Sequence, residues 1–461
     1  MTRSRLVIVM ALATTARGVA AAELPADDSG AQLEAAAEDQ VVSEVEAPPE
    51  PAASAPRTAT GEPAQRPRPR AAAGIKGRAG PIRLGLQGRL QVTGGAFRGQ
   101  GVRRADGALT ELAVDGVPTA RFSKLRLSLP FSARHRQTFG AALVESRATI
   151  DGELRFKPDR SLALTVGAGV GGVRRPDWPD LYQPQQDGGL APTDRYSYWR
   201  RKVRGGIDAN PASGLWLHAD YLYALVVYRQ DPTFDPFVAP NHLVPADHGE
   251  HAATLSATWR TGGLKLGVSA AAFQRRYFFT FARDRGTGLT HANAGGLPGN
   301  PLQTLRGVEP GLSAEVALQS LGAVVRGGYG FEIVDDIFAG YYSFTGHHPW
   351  LALRLRPHAR LEVGVGGSLH WRRYGPESYA EGPGHPALRG GERRFDHRAS
   401  AFVGPRLQLS DACSLSATLR YAGRRTSFPP YEPGVFPAAR QYDVRWSFDN
   451  WRATLTLAYV L

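Results

Sequence analysis

The chain has 461 residues, 42% of them hydrophobic, and a formal net charge of +13. With a mean hydropathy of -0.28, these bulk values alone would fit two or three soluble domains. The single cysteine, Cys413, excludes an intramolecular disulfide framework and a thiolate metal cluster.

The first 22 residues have the pattern of a secretory signal peptide. Arg3 and Arg5 precede an apolar run over 6–16, and the small residues Ala20 and Ala22 precede the expected cut. This run is too short to span a bilayer, which requires about 20 residues. No apolar run of that length occurs elsewhere, so the sequence predicts no transmembrane helix.

Residues 23–80 are rich in alanine, proline and charge, first acidic and then basic through the stretch RPRPR at 66–70. Such a composition cannot bury enough apolar surface to fold alone. We therefore expect this segment to be a disordered tether.

From residue 81 to 461 one pattern repeats, in which about ten residues alternate between apolar and polar and a turn or loop follows. In IRLGLQGRLQVT, for example, Leu84, Leu86 and Leu90 share one face, and Arg83 and Arg89 share the other. We predict further strands at SRATIDGELRFK, SLALTVGAGV, LWLHADYLYALVV, ATLSATWR, LKLGVSAAA, LSAEVALQS, AVVRGGYGF, WLALRLRP, RLEVGVGGSLHWRR, HRASAFVGPRLQL and SLSATLRYA.

The connections between these strands alternate between short and long. Short turns are expected at 157–160, 210–214, 261–263, 320–322, 356–360 and 410–413. Long polar and aromatic loops are expected at 173–195, 229–249, 283–303, 335–347, 373–393 and 425–439. This alternation predicts an antiparallel meander with two unequal ends.

The two faces of the predicted sheet differ sharply in polarity. One face carries Leu, Val and Ala, and it has aromatic residues near the strand ends at Phe156, Trp199, Trp259, Trp371, Tyr421 and Tyr459. The other face carries many charges. A soluble β-sandwich would bury large residues in a dry core. The two faces of this sheet instead suit lipid on one side and water on the other. In hydrocarbon every backbone amide must be paired, so the sheet must close on itself.

The last strand, RATLTLAYVL, resembles the terminal strand of the porin-like outer-membrane β-barrels of Gram-negative bacteria. In that superfamily the last strand alternates, ends in an aromatic residue and is read by the barrel-assembly machinery. Here the final residue is Leu461, and Tyr459 lies two residues before it. The resemblance implies an all-β, transmembrane, antiparallel up-and-down barrel over 81–461, located in the outer membrane with the N-terminal segment in the periplasm.

The strand number has two alternatives. We count about 14 strands if residues 440–461 form one strand with a bulge at Asp449 and Asn450. The segment 119–144 either folds as a hairpin within the first loop or adds two wall strands, which gives about 16. The sequence slightly favours 14.

Basic residues outnumber acidic residues on the predicted lumen face by about two to one. The positive electrostatic field of such an excess would concentrate anions in the lumen. The candidate basic ladder consists of Arg200, Lys202, Arg204, Arg147, Arg155, Arg354, Arg372, Arg398 and Arg406. Other inward basic residues are Arg83, Arg89, Arg260, Lys265, Arg275, Arg326, Arg356, Arg420 and Arg452. The alternative is that these charges pair across strands with inward acids and only fill space. The inward acids are Asp151, Glu153, Asp208, Asp220, Glu315, Glu332, Glu362 and Asp396.

We therefore expect a monomeric or trimeric porin-like passive channel for small anionic or polar solutes, with no enzymatic activity, cofactor or metal. The tether would occlude the lumen or contact anionic cell-wall polymer through its basic stretch. Expected neighbours are outer-membrane lipid and lipopolysaccharide. Nucleic acid is not expected, because the arginines recur at strand spacing and the chain is exported.

Two other classes remain as alternatives. One is an assembly or export barrel, although the tether has no helical repeat of the kind such barrels carry. The other is a lipid-modifying enzyme. Its candidate pair, Ser368 and His370, faces the lumen, where lipid does not reach. His347 and His348 are adjacent, so in a strand they point to opposite faces and make a poor metal pair.

Overall fold

The structure is a computed structural model of the chain. It describes residues 74–77, 80–100, 106–139, 143–175, 178–184, 190–193, 197–229, 247–281, 302–337, 343–375, 395–426 and 448–460. The predicted signal peptide, most of the predicted tether and large parts of the predicted long loops lie outside the described residues.

The described part of the chain consists of β-strands joined by turns. In chain order the strands are β1 (Gly74–Gly77), β2 (Gly80–Gln100), β3 (Asp106–Phe122), β4 (Leu125–Ser128), β5 (Phe131–Phe139), β6 (Leu143–Phe156), β7 (Leu162–Arg174), β8 (Trp178–Pro184), β9 (Leu190–Thr193), β10 (Tyr198–Ala212), β11 (Leu215–Tyr228), β12 (His248–Thr261), β13 (Leu264–Phe281), β14 (Leu302–Leu318), β15 (Ala323–Asp336), β16 (Phe344–His358), β17 (Leu361–Tyr374), β18 (Phe395–Gln408), β19 (Cys413–Thr426) and β20 (Phe448–Val460). A 3₁₀ turn, Gln319–Leu321, joins β14 to β15. Among these residues no helix is both long enough and apolar enough to cross a membrane.

Sixteen wall strands form one closed antiparallel sheet. Each wall strand pairs with the next in chain order, and β20 pairs with β2 from Arg89 opposite Val460 to Gln100 opposite Asp449. This last pairing closes the barrel, so no wall strand has a free edge. The hairpin of β8 and β9 forms a separate two-stranded sheet within the connection from β7 to β10. The short strand β1, which lies in the predicted tether, folds back on the start of β2.

The barrel prediction is confirmed, with the higher of the two strand numbers. The segment 119–144 belongs to the wall, because β4 and β5 both pair with β3 on one side and with β6 on the other. Pro130 interrupts this wall strand, since proline has no N–H to donate. The wall nevertheless stays tied there, because Leu129 N donates to Pro118 O at 3.0 Å and Asp151 N donates to Pro130 O at 2.8 Å. The preference for 14 strands had placed this segment in a hairpin within the first loop.

The expected bulge at Asp449 and Asn450 is absent from the described pairings. β20 pairs with β19 without a register shift from Cys413 opposite Tyr459 to Arg424 opposite Phe448. Asp449 instead lies on the outward face, where its carboxylate accepts a hydrogen bond of 2.6 Å from the Tyr421 hydroxyl. Asp449 therefore makes a side-chain contact near the end of β20, and the backbone of β20 stays in regular register with β19 at this position.

The short turns lie where the sequence predicts them. At 157–161 the Asp159 carboxylate accepts hydrogen bonds from the Ser161 hydroxyl and amide at 2.7 Å and from the Leu162 amide at 2.9 Å. The hydrogen bonds from Ser161 hold the pKa of Asp159 below its usual value. All the short turns lie at one end of the barrel, and the longer connections lie at the other.

The apolar face points away from the barrel. Leu84 and Leu457 are 45% and 46% exposed, and most of the predicted aromatic positions are exposed to a similar extent. Trp199, Trp371 and Tyr421 lie toward the end with the long connections, and Phe156, Trp259 and Tyr459 lie toward the other end. A continuous apolar band between two sets of aromatic side chains is the exterior that a bilayer requires.

Candidate functional site

Several ion pairs identify the inward face of the wall, because they join strands that are not neighbours. β6 and β10 each pair with β7 and not with one another. Lys202 Nζ nevertheless lies 3.1 Å from Asp151 Oδ2, and Arg155 Nη2 lies 2.7 Å from Asp208 Oδ2. Side chains converge on the concave surface of a closed sheet, so these contacts over β7 place the charged face in the lumen.

Glycines on β7 make these contacts possible. Gly169 lies between Asp151 and Lys202, and Gly167 lies between Glu153 and Arg204, which form a second ion pair. A Cβ on Gly169 would overlap the Asp151 carboxylate, and one on Gly167 would lie 3.2 Å from Arg204 Nε. The absence of side chains at Gly167 and Gly169 therefore gives Lys202 and Arg204 of β10 room to reach Asp151 and Glu153 of β6.

The same arrangement occurs on the other side of the barrel, where Gly346 of β16 lies between Glu332 and Arg372. Arg372 Nη2 donates to Glu332 Oε2 at 3.2 Å, and His370 Nε2 lies 3.1 Å from the same oxygen. The His348 ring stacks on His370 with a centroid distance of 5.2 Å. Glycine thus again permits a bridge over one strand.

The two neighbouring histidines point to opposite faces, as predicted. His347 contacts Tyr329 and Phe331 on the outward face, whereas His348 lies in the lumen. The two residues of the candidate enzyme pair, Ser368 and His370, contact different side chains. Ser368 Oγ hydrogen-bonds to Ser400 Oγ at 2.8 Å, while His370 contacts Glu332.

All nine residues of the predicted basic ladder lie on inward-facing positions, but they do not form one ladder. Only Arg200, Lys202 and Arg204 follow one another, along β10. The others are spread over β6, β16, β17 and β18. Their nearest described polar partners are Glu145 for Arg147, Asp208 for Arg155, Glu332 for Arg372, Asp396 for Arg398 and Ser414 for Arg406. Arg354 lies in the electrostatic field of Glu362, Arg326 and Arg356. Many of these charges therefore pair, as the alternative interpretation of the lumen proposed.

Four ion pairs near the loop end of the barrel are almost completely removed from solvent. They are Glu145 with Arg175, Glu250 with Arg275, Glu332 with Arg372, and Asp396 with Arg424. None of these eight residues is more than 6% exposed. A buried charge requires an opposite charge and hydrogen bonds. Three of these buried pairs therefore tie neighbouring strands together where the long loops begin, and the Glu332–Arg372 pair ties β15 to β17 across β16.

This closed wall is apolar outside and charged inside. Several solved bacterial proteins are distantly similar to this chain. OmpT of Vibrio cholerae, as a loop L8 deletion mutant, is 12% identical with a TM-score of 0.42, and the match covers 82% of this chain and 99% of that one. OccK2 (OpdF) of Pseudomonas aeruginosa in complex with glucuronate is 12% identical with a TM-score of 0.41, covering 82% and 98%. CdiB of Acinetobacter baumannii is 10% identical with a TM-score of 0.44, covering 82% of this chain and 60% of CdiB.

The chain is a closed antiparallel β-barrel of 16 strands, with an apolar exterior and a charged interior. No protein-family model matches it, and no curated protein matches it in sequence.

The lumen of this barrel has an uneven distribution of charge. We define the closure sector as the inward faces of β19, β20, β2, β3 and the β4/β5 strand, which flank the β20–β2 junction. It carries two carboxylates, Glu111 and Asp115, and nine arginines, namely Arg83, Arg89, Arg121, Arg126, Arg134, Arg136, Arg420, Arg424 and Arg452.

The opposite side of the barrel, β12 to β15, has the reverse excess. Its inward carboxylates are Glu250, Glu309, Glu315, Glu332 and Asp336, and its inward Lys and Arg residues are Arg260, Lys265, Arg275 and Arg326. The lumen of the barrel is therefore cationic along the closure sector and slightly acidic across from it.

Arginines approach one another closely within the closure sector. Arg420 lies directly opposite Arg452 on the neighbouring strand, and Arg136 is near enough to repel it. Arg89 is likewise repelled by Arg134 and by Arg406 of the adjoining strand β18, and Asp115 opposite it offsets part of this repulsion. Glu111 compensates for part of this charge, with an oxygen 2.9 Å from Arg136 Nη2.

Sequence reasoning missed this sector as a site. Arg420 and Arg452 were predicted to face inward, but their direct opposition depends on strand register. Arg134 and Arg136 lie in the segment 119–144, whose place in the wall was left open. The alternation of SARHRQ, with Arg134 and Arg136 two residues apart, is the signal that would have identified them once 16 strands were assumed.

The described residues contain no group of three or more His, Cys, Asp or Glu side chains arranged to hold a metal ion.

Proposed function

We propose that this outer-membrane barrel is a passive channel for small hydrophilic solutes, and that it prefers anions. The observation that carries the proposal is the closure sector, which has nine inward arginines and two carboxylates. Arg424 is paired with Asp396 of the adjoining strand β18, so eight arginines remain against two carboxylates. A closed wall of 16 strands is wide enough to enclose an aqueous channel. A positive surface within a low-dielectric tube concentrates anions along its length.

The closure sector is a better candidate for the selective surface than the predicted ladder on β10. Lys202 and Arg204 of that ladder are ion-paired with Asp151 and Glu153, so their fields largely cancel at a distance. The closure sector keeps a large excess of positive charge after its two carboxylates are counted. In this proposal the wall acts by attraction alone and has no catalytic role.

The proposal predicts a reversal potential that indicates anion preference when the refolded barrel separates unequal KCl solutions in a planar bilayer. Arg452→Glu should lower the chloride-to-potassium permeability ratio by at least about twofold, because it replaces a positive charge in the closure sector with a negative one. The matched control is Arg373→Glu, the same change at an exposed outward position near the loop end.

Three outcomes of this experiment contradict the proposal. They are absence of conductance, preference for potassium in the unaltered barrel, and an equal change of the permeability ratio in both variants. Lipid hydrolysis by the purified protein in mixed micelles would favour an enzyme instead. Loss of a surface protein when the gene is deleted, without conductance, would favour an export role.

We also propose that the segment 23–80 lies in the periplasm and partly occludes the lumen. Its basic stretch RPRPR at 66–70 follows an acidic part, and the acidic part would be attracted to the closure sector. Deleting residues 23–79 should then raise single-channel conductance. Equal conductance with and without the segment would reject this role.

A further inference from the structure

The outward surface of β11 to β15 has a depression that interrupts the band facing the lipid. Its volume is about 450 Å³, and its lining includes Tyr221, Ala253, Ala272, Val308 and Arg306. The register explains its shape. Ala253 lies directly opposite Ala272, and these two small side chains are flanked by Tyr221 on one side and Val308 on the other. The floor is therefore formed by methyl groups between larger side chains.

The polarity of this surface changes in one step toward the loop end of the barrel. The next outward row runs across the same five strands as Tyr223, His251, Gln274, Arg306 and Asp335. His251 is held by a 2.7 Å hydrogen bond between its Nδ1 and the Tyr221 hydroxyl, and it contacts the Tyr223 ring. An apolar floor thus leads directly into a polar row.

Arg276 extends this polar end by one more row. It lies opposite Gly249 and Thr304, diagonally above Arg306. Both arginines are exposed on the outward face. Asp335 lies opposite Arg306 and offsets part of its charge, so the two arginines and this carboxylate leave the polar end positive.

We propose that this surface, which we name the wall groove, binds a phosphorylated, multiply acylated lipid of the outer leaflet, the chemical class of lipopolysaccharide. Acyl chain would lie over Ala253 and Ala272, and a phosphate would accept hydrogen bonds from Arg276 and Arg306. Guanidinium groups bind phosphate through paired, charge-assisted hydrogen bonds. The wall groove opens toward the end with the long loops, which faces the outer leaflet in an outer-membrane barrel.

A second depression on the wall shows why the arginines matter to this assignment. It has a volume of about 360 Å³ and is lined by Leu154, Val166, Ala168 and Val203. The charged residues at its margin, Glu153 and Arg204, pair with each other on the inward face. The second depression could therefore contact an acyl chain but has no outward arginine for a phosphate. The wall groove has both an apolar floor and outward arginines.

The test uses the full chain in nanodiscs that contain either bis-phosphorylated lipid A, its phosphate-free form, or phosphatidylglycerol, with retained lipid measured by native mass spectrometry. We expect phosphorylated lipid A to be retained preferentially. The double variant Arg276→Gln/Arg306→Gln should reduce that retention about tenfold or more, since it removes both guanidinium groups that would bind the phosphate. The matched control is Arg373→Gln/Arg425→Gln, which removes two outward arginines that flank β18.

A second pair of variants tests the apolar floor. Ala272→Trp would fill the wall groove and should displace the lipid, whereas Ala270→Trp, two residues along the same outward face of β13, should not. Equal retention in both double arginine variants, equal effects of the two tryptophans, or equal retention of phosphorylated and phosphate-free lipid A would overturn the assignment. Preference for phosphatidylglycerol over lipid A would do so as well. The result does not depend on whether the lumen conducts ions.

Discussion

Asp396→Asn is expected to lower the free energy of unfolding of the barrel by about 3–5 kcal/mol, the range for breaking a buried ion pair by removing one partner. The Asp396 carboxylate accepts two parallel hydrogen bonds of 2.9 Å from Arg424 and one of 3.1 Å from Arg398. Asp396 and Arg424 are 2% and 3% exposed. The neutral amide would leave both guanidinium groups facing each other without the negative charge that they share.

The matched control for this substitution is Asp449→Asn. Asp449 also pairs with an arginine, Arg425, at 2.6 Å, but the Arg425 side chain is 57% exposed. Exposed pairs contribute about 1 kcal/mol or less, so the control should lose little. Guanidinium unfolding in lipid vesicles, followed by tryptophan fluorescence, measures both. An equal loss of stability in the two variants would contradict the larger contribution expected from the buried Asp396 pair.

Gly169→Ala is expected to destabilise the barrel by about 1–3 kcal/mol, although alanine suits a strand better than glycine does. The added methyl group would overlap the Asp151 carboxylate and approach Ile150 O to 3.1 Å. Asp151 would therefore move, and its ion pair with Lys202 across β7 would break. The same unfolding experiment detects the loss.

Gly364→Ala is the control on the same inward face. A Cβ at Gly364 would meet Phe402 Cε2 at 3.6 Å, an ordinary van der Waals contact. Because alanine restricts the unfolded chain more than glycine does, this change should be neutral or stabilising by up to about 1 kcal/mol. A Gly169→Ala barrel as stable as the Gly364→Ala barrel would show that the space over β7 is not needed for the bridge.

The fold was largely predictable because its signals are local. Alternation over single strands determines which side chains point outward, and Leu84 and Leu457 lie outside as expected. Turn positions follow from short polar stretches such as 157–160. The strand number was harder, because Pro130 has the appearance of a strand end although hydrogen bonds on both sides continue the wall.

The candidate site was predictable only in part, because it depends on register between strands distant in sequence. Alternation places Arg204 inward, but its partner Glu153 is found two strands away across Gly167. The opposition of Arg420 and Arg452 likewise requires the register of β19 and β20. Periodicity in one strand carries no information about that register. The sequence therefore left pairing of the ladder as one of two alternatives, and it did not indicate the cationic closure sector.

The position of the closure sector has a consequence for how the barrel assembles. Arg420 and Arg452 come from the last two strands, whereas Arg89, Arg134 and Arg136 come from the first three wall strands. These like charges meet when β20 joins β2, the pairing whose partners are most distant along the chain. The repulsion of Arg136 by Arg420 therefore arises only in that joining step, which dissolved salt would ease by screening.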